Sequence, residues 1–550
     1  MMGVSGSKKN QSNLAAKNQR NTHHRYVDPI YQNTKLLFNA DDGTDFGEVL
    51  ITQPKKAAFH PLEVENIDDL DDVEFPYENI VFEGGGCQGN AYIGAVKELD
   101  RLGHLKKLRR FGGASIGAVT ACLISMGHSA DSVLEELKSA PKIPQFLDAG
   151  CGSCSLVPNT IRYFGWHPGK VSYEWFGRFI ENKLGNPDAT FRDLYEKVGN
   201  ELCIVVTNLS LKMEEYCHVK TTPNLPIRAA LRMSTSLPGV FYPFQKVTGD
   251  RTDLYIDGGL ICNYPVHCFD GWWLSMKPED TFLKRMQPLT DVGKLMMKKE
   301  RFGTFNEKTI GLIIFSDYDQ HVLSANPDLI ARPSFIPDTD LGREYKKVIS
   351  KREYDIQRHT VVTEAMSKFL RVLNEHNLDG NDTINRSEFE QALTKTDEFT
   401  TAHRRALFGS HLTSPSEIFS ALDISGDGEI DFHEMMMMAE SRGAGIESQI
   451  IGAGWTKISK ASNIVDCVFR TLLMNVKRAF LEGGDNERTV MINTAYIKSM
   501  DFDMKQEDTD FLIEGGPGPS PPGSACASTI YCNNHKCHRH PVRLSAVSVK

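Results

Sequence analysis

The chain has 550 residues, enough for several cores, with 40% hydrophobic and 24% charged residues, an ordinary balance for a soluble globular protein. A formal net charge of −9 argues against nucleic acid as the main partner. The N-terminus lacks the apolar stretch of a secretory signal and no run of eighteen apolar residues occurs, so no leader or membrane-spanning helix is expected, and the 12 irregularly spaced cysteines read as reduced cytosolic thiols.

Taken in chain order, residues 1–75 are polar with an acidic end at Asp68 to Asp72, and read as a largely disordered arm. Met2-Gly3-Val4-Ser5-Gly6-Ser7 fits an N-myristoylation pattern on condition that translation starts at Met2; with Met1 in place, a plain disordered tail is the other reading. Asn79-Ile80-Val81-Phe82-Glu83 then runs into Gly84-Gly85-Gly86, a buried strand stopped by a tight turn, and residues 90–103 follow at helical spacing. The basic Lys106, Lys107, Arg109 and Arg110 lead into Phe111 and the turn Gly113-Ala114-Ser115-Ile116-Gly117, with a second helix from Ala118 through Ile124. Leu202-Cys203-Ile204-Val205-Val206 and Ile310-Gly311-Leu312-Ile313-Ile314 read as further buried strands. Apolar strands alternating with helices predict an α/β fold with a parallel sheet covered on both faces. From 356 to 445 helical segments flank two acidic loops, residues 460–482 read as another helix, and a Gly/Pro-rich stretch leads to a disordered tail over 516–550.

The turn around Ser115 carries the first chemical signal. A hydroxyl is a poor nucleophile unless it is exposed, oriented and paired with a base. Glycines on both sides of Ser115, at Gly113 and Gly117, let neighbouring backbone approach a sharp strand-to-helix turn, with the hydroxyl at the N-terminus of the next helix. Upstream, Gly84-Gly85-Gly86-Cys87-Gln88-Gly89 also satisfies a dinucleotide-binding pattern, but that fold wants an acidic residue at the end of the next strand, and here Lys106 to Arg110 run into a second glycine turn instead. The preferred reading is an oxyanion hole, whose backbone donors commonly contribute about 3–4 kcal/mol each. An ordinary triad would add a His after the acid, yet none of the 17 histidines sits in a distinctive setting. Asp257 does: it ends Asp253-Leu254-Tyr255-Ile256-Asp257 before Gly258-Gly259, where a partly desolvated carboxylate gains a raised pKa and can act as a base. An Asp opening an ordinary turn is the other reading of that motif alone.

Together these motifs resemble the patatin-like phospholipases. Thr207-Asn208-Leu209-Ser210, Thr222-Pro223-Asn224-Leu225-Pro226, the run from Arg232 through Phe241, and Asn263-Tyr264-Pro265 are similar to that family as well. The resemblance implies a three-layer α/β/α domain and a Ser–Asp dyad without His. Ser115 would attack an acyl-lipid ester, Asp257 would take its proton, and backbone of the 85–89 loop would hold the oxyanion. An acyl-enzyme would form and water would release a fatty acid. Gln88 departs from the family, which often has Lys or Arg there; backbone donors do not depend on it.

The acidic loops carry the second signal. Asp423-Ile424-Ser425-Gly426-Asp427-Gly428-Glu429-Ile430-Asp431-Phe432-His433-Glu434 fits a calcium-binding EF-hand loop: Asp423, Ser425 and Asp427 as side-chain ligands, Glu429 through its carbonyl, Asp431 through water and Glu434 bidentate. Ser414-Pro415-Ser416-Glu417 is a capping box at the start of the entering helix. The earlier loop, with Asn377, Asp379, Asn381, Thr383 and Glu388 at ligand positions, replaces the usual first Asp by Asn377 and the turn Gly by Asp382, so weaker calcium binding or none is expected there. Ile384 and Ile430 should pair across the loops. Met435 to Met438 read as packing, with a docking surface as the rarer use. Val490-Met491-Ile492 and Met500-Asp501 resemble the end of the patatin-like domain, so the calcium pair reads as an insertion within it, dividing the chain into 76–350, 356–445 and 450–515.

Cys151-Gly152-Ser153-Cys154 and the Cys/His-containing tail match no standard metal pattern and read as irregular. Trp272-Trp273-Leu274 admits a membrane-facing rim, with core packing the stronger account. The sequence thus points to a calcium-responsive phospholipase A-type acyl hydrolase, cytoplasmic or at a peripheral membrane surface. A non-catalytic calcium sensor using the hydrolase core as a lipid-binding scaffold is the alternative.

Overall fold

The structure, a computed structural model, describes residues 76–141, 143–150, 152–316, 335–376, 380–395, 399–410, 412, 414–442, 467, 471, 485–501, 504–514, 529–532 and 543–545. The arm over 1–75, and all of the 460–482 helix except Cys467 and Thr471, lie outside them. Two compact units emerge, and the boundary at Lys346/Lys347 falls within one long helix, Asp340–His376.

The sheet unit holds β1 (Asn79–Phe82), β2 (Arg110–Ala114), β3 (Gly165–His167), β4 (Glu201–Asn208), β5 (Met213–Cys217), β6 (Gly239–Phe241), β7 (Phe244–Thr248), β8 (Arg251–Asp257) and β9 (Thr309–Phe315). β10 (Ile384–Asn385) and β11 (Glu429–Ile430) belong to the helical unit, and β12 (Thr489–Asn493), β13 (Thr529–Cys532) and β14 (Arg543–Ser545) return to the sheet. At its centre β12, β9, β1, β2 and β4 run side by side and parallel. Every residue of β1 and β9 is buried, which is why these strands read as unbroken apolar runs: a parallel strand is covered on both faces. On one face Val81, Ala114, Cys203 and Val205 join Cys268, Phe269 and Phe302 in one cluster. β13 and β14 add antiparallel strands beyond β12. Part of the tail expected to be disordered therefore extends the sheet: Thr529, Ile530 and Tyr531 are β-branched or aromatic and satisfy an edge that would otherwise be open.

The register around β4 sets up the site. β5 pairs antiparallel with one edge of β4 from Ile204 to Asn208. β2 pairs with Glu201 through Val205, and β8 pairs antiparallel with Val206 through Asn208. Since β5 overlaps both in register, β2 and β8 must share the other edge of β4. They run toward one another along it, with Ala114 opposite Val205 and Asp257 opposite Val206. The residue that follows Ala114 is Ser115, so two strand ends distant in sequence meet head to head.

The helical unit is built from helix–loop–helix pairs. Thr400 and Ser414 each close a capping box, with Pro415 in the first turn at the latter. Its core joins Phe369, Phe389, Phe419, Leu422, Met435 and Met438. Met435 to Met438 are all buried, so they pack rather than present a docking surface. β10 and β11 pair Ile384 with Ile430, the cross-loop contact the sequence predicts.

Candidate active site

Ser115 leaves β2 at φ +51, a backbone state that L side chains rarely adopt, and the helix Ile116–Ser125 begins at the next residue. Such a strained strand-to-helix turn lifts a hydroxyl clear of the sheet. The flanking glycines are required by contact: a Cβ at Gly113 would lie 2.5 Å from the Gly117 backbone, and one at Gly117 would lie 2.5 Å from the carbonyl oxygens of Phe82 and Glu83. The Ser115 N–H donates to Ser234 Oγ at 2.9 Å, and that hydroxyl donates to the Val205 carbonyl at 2.7 Å. Ser234 ends the helix Ile227–Ser234, and nothing in its sequence spacing marks this supporting role.

Ser115 Oγ donates to Asp257 Oδ2 at 2.7 Å. The other carboxylate oxygen accepts the Gly259 N–H at 2.7 Å, which leaves Oδ2 aimed at the serine. The Asp257 backbone is fixed by the Thr207 hydroxyl on its carbonyl at 2.9 Å and by its own N–H on Ser236 O at 2.9 Å. Burial pushes the Asp257 carboxyl up to about 6, with the Ser115 and Gly259 hydrogen bonds pulling the other way. It is thus mostly ionised at neutral pH yet basic enough to take a proton. Among the described residues no histidine bonds to either group.

The glycine loop over 84–89 turns past this pair, and the structure divides its N–H groups unequally. Gly84 donates to Asn263 O at 3.0 Å, Cys87 to Ser499 O at 3.0 Å and Gln88 to Gly85 O at 3.1 Å. Among the described residues the Gly85 and Gly86 N–H groups meet no such backbone acceptor. Gly86 takes φ +53 with the Ser499 carbonyl where a Cβ would stand. Burial pushes the Cys87 thiol up to about 12, so it stays protonated and is no rival nucleophile. Gly89 lies in the short helix Gly86–Ala91, against Ile116.

Gln88 is buried, and its amide is fully engaged within the fold. Its Nε2 donates to Thr494 Oγ1 at 2.7 Å and to Ile497 O at 2.9 Å, and its Oε1 accepts from Ser499 Oγ at 2.7 Å. The segment after β12 therefore clamps the loop, and the amide does this better than the longer cations expected in the family, being both donor and acceptor. Sequence reading missed this partner because it lies over four hundred positions away (|i−j| up to 411).

In the later acidic loop Gly428 takes φ +87, the turn the sequence predicts. Asp423 accepts the N–H groups of Gly426 at 2.8 Å and Gly428 at 3.1 Å, and Asp427 accepts that of Glu429 at 3.0 Å. Buried Glu434 accepts Ile424 and Ser425 N–H, both at 2.9 Å. The Ser425 hydroxyl donates to Asp423 at 3.4 Å. Among the described residues no three His, Cys, Asp or Glu groups converge at metal-holding geometry. In the earlier loop Asn377 and Asp379 lie outside the described residues; Asn381 accepts from Thr383, Thr383 donates to Glu429 of the partner loop, and buried Glu388 accepts Asn385 N–H. Asp382 does not take the left-handed turn expected of it; Gly380, two positions earlier, does, at φ +70. Trp272 and Trp273 pack on Phe282 and the sheet core, not on a membrane-facing rim.

Residues 80–270 match the patatin-like phospholipase family. An uncharacterized protein of Acanthamoeba polyphaga mimivirus is 28% identical over 198 residues, 36% of this chain and 63% of its own length. A probable lipid hydrolase of Invertebrate iridescent virus 6 is 26% identical over 195 residues, 34% of this chain and 62% of its own. Triacylglycerol lipase 4 of Saccharomyces cerevisiae is 28% identical over 206 residues, 34% of this chain and 22% of its own. The chain thus spans less than two thirds of the length of these relatives. A crystal structure of VipD from Legionella pneumophila aligns at 14% identity and a TM-score of 0.32, covering 80% of this chain and 65% of that one. The strands that bring Ser115 to Asp257 lie within residues 80–270, the stretch that matches the patatin-like phospholipase family.

Proposed function

We propose that the chain is a lipid acyl hydrolase of phospholipase A type, working through a Ser115–Asp257 dyad. The observation that carries this reading is the 2.7 Å bond from Ser115 Oγ to a buried carboxylate raised to about 6. Asp257 takes the hydroxyl proton as Ser115 attacks the ester carbonyl carbon. Gly85 and Gly86 N–H stabilise the oxyanion, Asp257 returns the proton to the departing alcohol, and an acyl-serine remains. The same carboxylate then takes a proton from water, which attacks the acyl-serine, and hands that proton to Ser115 Oγ as the bond to the serine breaks and the fatty acid leaves. Head group and acyl position are read by assaying defined phospholipids and triacylglycerol and identifying the products. Fatty acid release by the native chain, abolished in Ser115→Ala, is the expected result; equal release by that variant overturns the reading.

The later acidic loop extends the proposal to calcium. Asp423, Ser425, Asp427, the Glu429 carbonyl and Glu434 stand at the ligand positions of a calcium-binding loop around the Gly428 turn, and calcium would draw its three carboxylates together from the backbone N–H groups they now accept. Bound calcium would tie the two helices flanking the loop, a structural or regulatory part separate from the ester chemistry. Isothermal titration of the whole chain tests this, as do hydrolysis rates with calcium and with chelator.

A further inference from the structure

The helix Ile227–Ser234 ends in a run of hydroxyls, Ser234-Thr235-Ser236, at the point where β2 and β8 meet on β4. β4 changes partner between Val205 and Val206, and the Ser234 hydroxyl donates to the Val205 carbonyl at that step, 2.7 Å away. A Cβ on Gly258 would run into the same carbonyl. The last carbonyls of a helix have no partner within it, so this run can offer them to its neighbours. Ser234 O accepts the Gly258 N–H at 3.3 Å, and Ser236 O accepts the Asp257 N–H at 2.9 Å. From the same residue, Ser234 Oγ accepts the Ser115 N–H at 2.9 Å. One short run therefore holds the backbone of both members of the dyad.

The run is itself fixed. Thr235 Oγ1 donates to Leu231 O at 2.9 Å and Ser236 Oγ to Arg232 O at 2.5 Å, which closes the last turn of the helix. The buried Arg232 guanidinium donates to Ser236 Oγ, to Pro168 O at 2.8 Å and to Gly169 O at 3.1 Å, tying the run to the segment after β3. Ser234 and Ser236 are buried as well. Ser115, by contrast, sits at φ +51, and strain of this kind persists only where the surroundings over-determine it. Its carbonyl accepts the Ala118 N–H at 3.0 Å, and its N–H goes to Ser234. Without the second bond the peptide before Ser115 can turn, and Oγ swings with it relative to a carboxylate 2.7 Å away.

We propose that Ser234 is a positioning residue of the dyad: its hydroxyl pins the strained Ser115 backbone while its carbonyl and that of Ser236 pin the Asp257–Gly258 turn, and together they set the separation of Ser115 Oγ and Asp257 Oδ2. The proposal rests on the lipid hydrolase reading of that pair. It assigns the Ser115 N–H to the scaffold and not to the oxyanion. A nucleophile displaced by about 1 Å loses rate more than ground-state binding.

The test separates the number of sites from the rate at each. A fluorophosphonate carried to completion counts folded sites, and its rate constant reports the dyad. Ser234→Ala should react about ten- to a hundredfold more slowly per site, with KM for a short soluble nitrophenyl ester within about twofold. The pH profile should move too. The Ser115 hydrogen bond lowers the Asp257 carboxyl against the pull of burial, so loosening it should shift the kcat/KM inflection upward from about 6. Ser234→Cys, whose thiol is a weaker acceptor, should fall between the native chain and the alanine variant. Ser125→Ala is the control: this buried hydroxyl donates to Cys122 O on the helix that follows Ser115, and its loss should lower stability without changing the rate per site. A Ser234→Ala chain with the native rate per site and an unmoved inflection overturns the proposal, whatever its site count, since Ser234 would then only support the fold. If Ser234→Ala does not fold, Ser234→Cys decides, and the native rate at its labelled sites overturns the proposal in the same way. A native chain that never labels at Ser115 overturns the dyad, and this proposal with it, before any variant is compared.

Discussion

Replacing Asp257 by Asn separates catalysis from stability at one site. The carboxyl is raised by burial from 3.8 to about 6, so ionising it in the fold costs about 3 kcal/mol relative to the unfolded chain. The sign follows from the direction. A folded-state pKa above the unfolded value means that the native state holds the proton more tightly. Stability from this group is therefore full below the unfolded pKa of 3.8 and is lost as pH rises through about 6. Asparagine is nearly isosteric and never ionises: its oxygen can still accept the Gly259 N–H and its amide can face Ser115 Oγ. After about 1 kcal/mol for imperfect pairing, Asp257→Asn should be about 2 kcal/mol more stable at pH 8. That corresponds to a rise of about 4–8 °C in the Tm of the sheet unit, falling to roughly a third at pH 5, gone near pH 4.5 and reversed by somewhat under 1 kcal/mol near pH 3.5. Hydrolysis should fall about 10²–10⁴-fold in the same variant. Differential scanning calorimetry across this pH range is the assay. A variant no more stable than the native chain at pH 8, or a gain that does not shrink on acidification, refutes the reasoning about burial.

The same carboxylate sets the pH profile: kcat/KM should fall about tenfold per unit below pH 6 and level off above pH 7, and an inflection near pH 4 would place the base elsewhere. Gln88→Ala removes the bonds to Thr494, Ile497 and Ser499 and should lower kcat about tenfold with KM within about twofold, because the loosened donors act on the oxyanion more than on the bound ester; an equal loss in soluble-substrate KM would argue for a binding role. Glu434→Gln should abolish a calcium-binding heat of about micromolar affinity, and the same heat retained in this variant would remove the later loop from the account.

Much of the sheet unit was legible in sequence because buried parallel strands leave unbroken apolar runs, as β1, β4 and β9 do. The turn at Ser115 was legible because a strained strand-to-helix turn leaves glycines at fixed offsets, here Gly113 and Gly117. Asp257 was legible as a strand end before glycines, but its meeting with Ser115 depends on β2 and β8 sharing one edge of β4, a register no local pattern records. The glycine loop was legible as a turn, but which of its N–H groups bond within the fold is decided by Asn263 and Ser499, remote in the chain. Ser234 and the partners of Gln88 escaped for the same reason. The tryptophan pair, a candidate rim by composition, packs on Phe282, with Trp272 buried and Trp273 half-buried against the sheet core.

The most direct measurement is covalent. The whole chain treated with a fluorophosphonate should gain one adduct by intact mass, mapped to Ser115 on digestion. The adduct should be absent in Ser115→Ala and form about a hundredfold or more slowly in Asp257→Asn. An adduct on another residue, or labelling of Asp257→Asn at the native rate, would contradict a Ser115–Asp257 dyad.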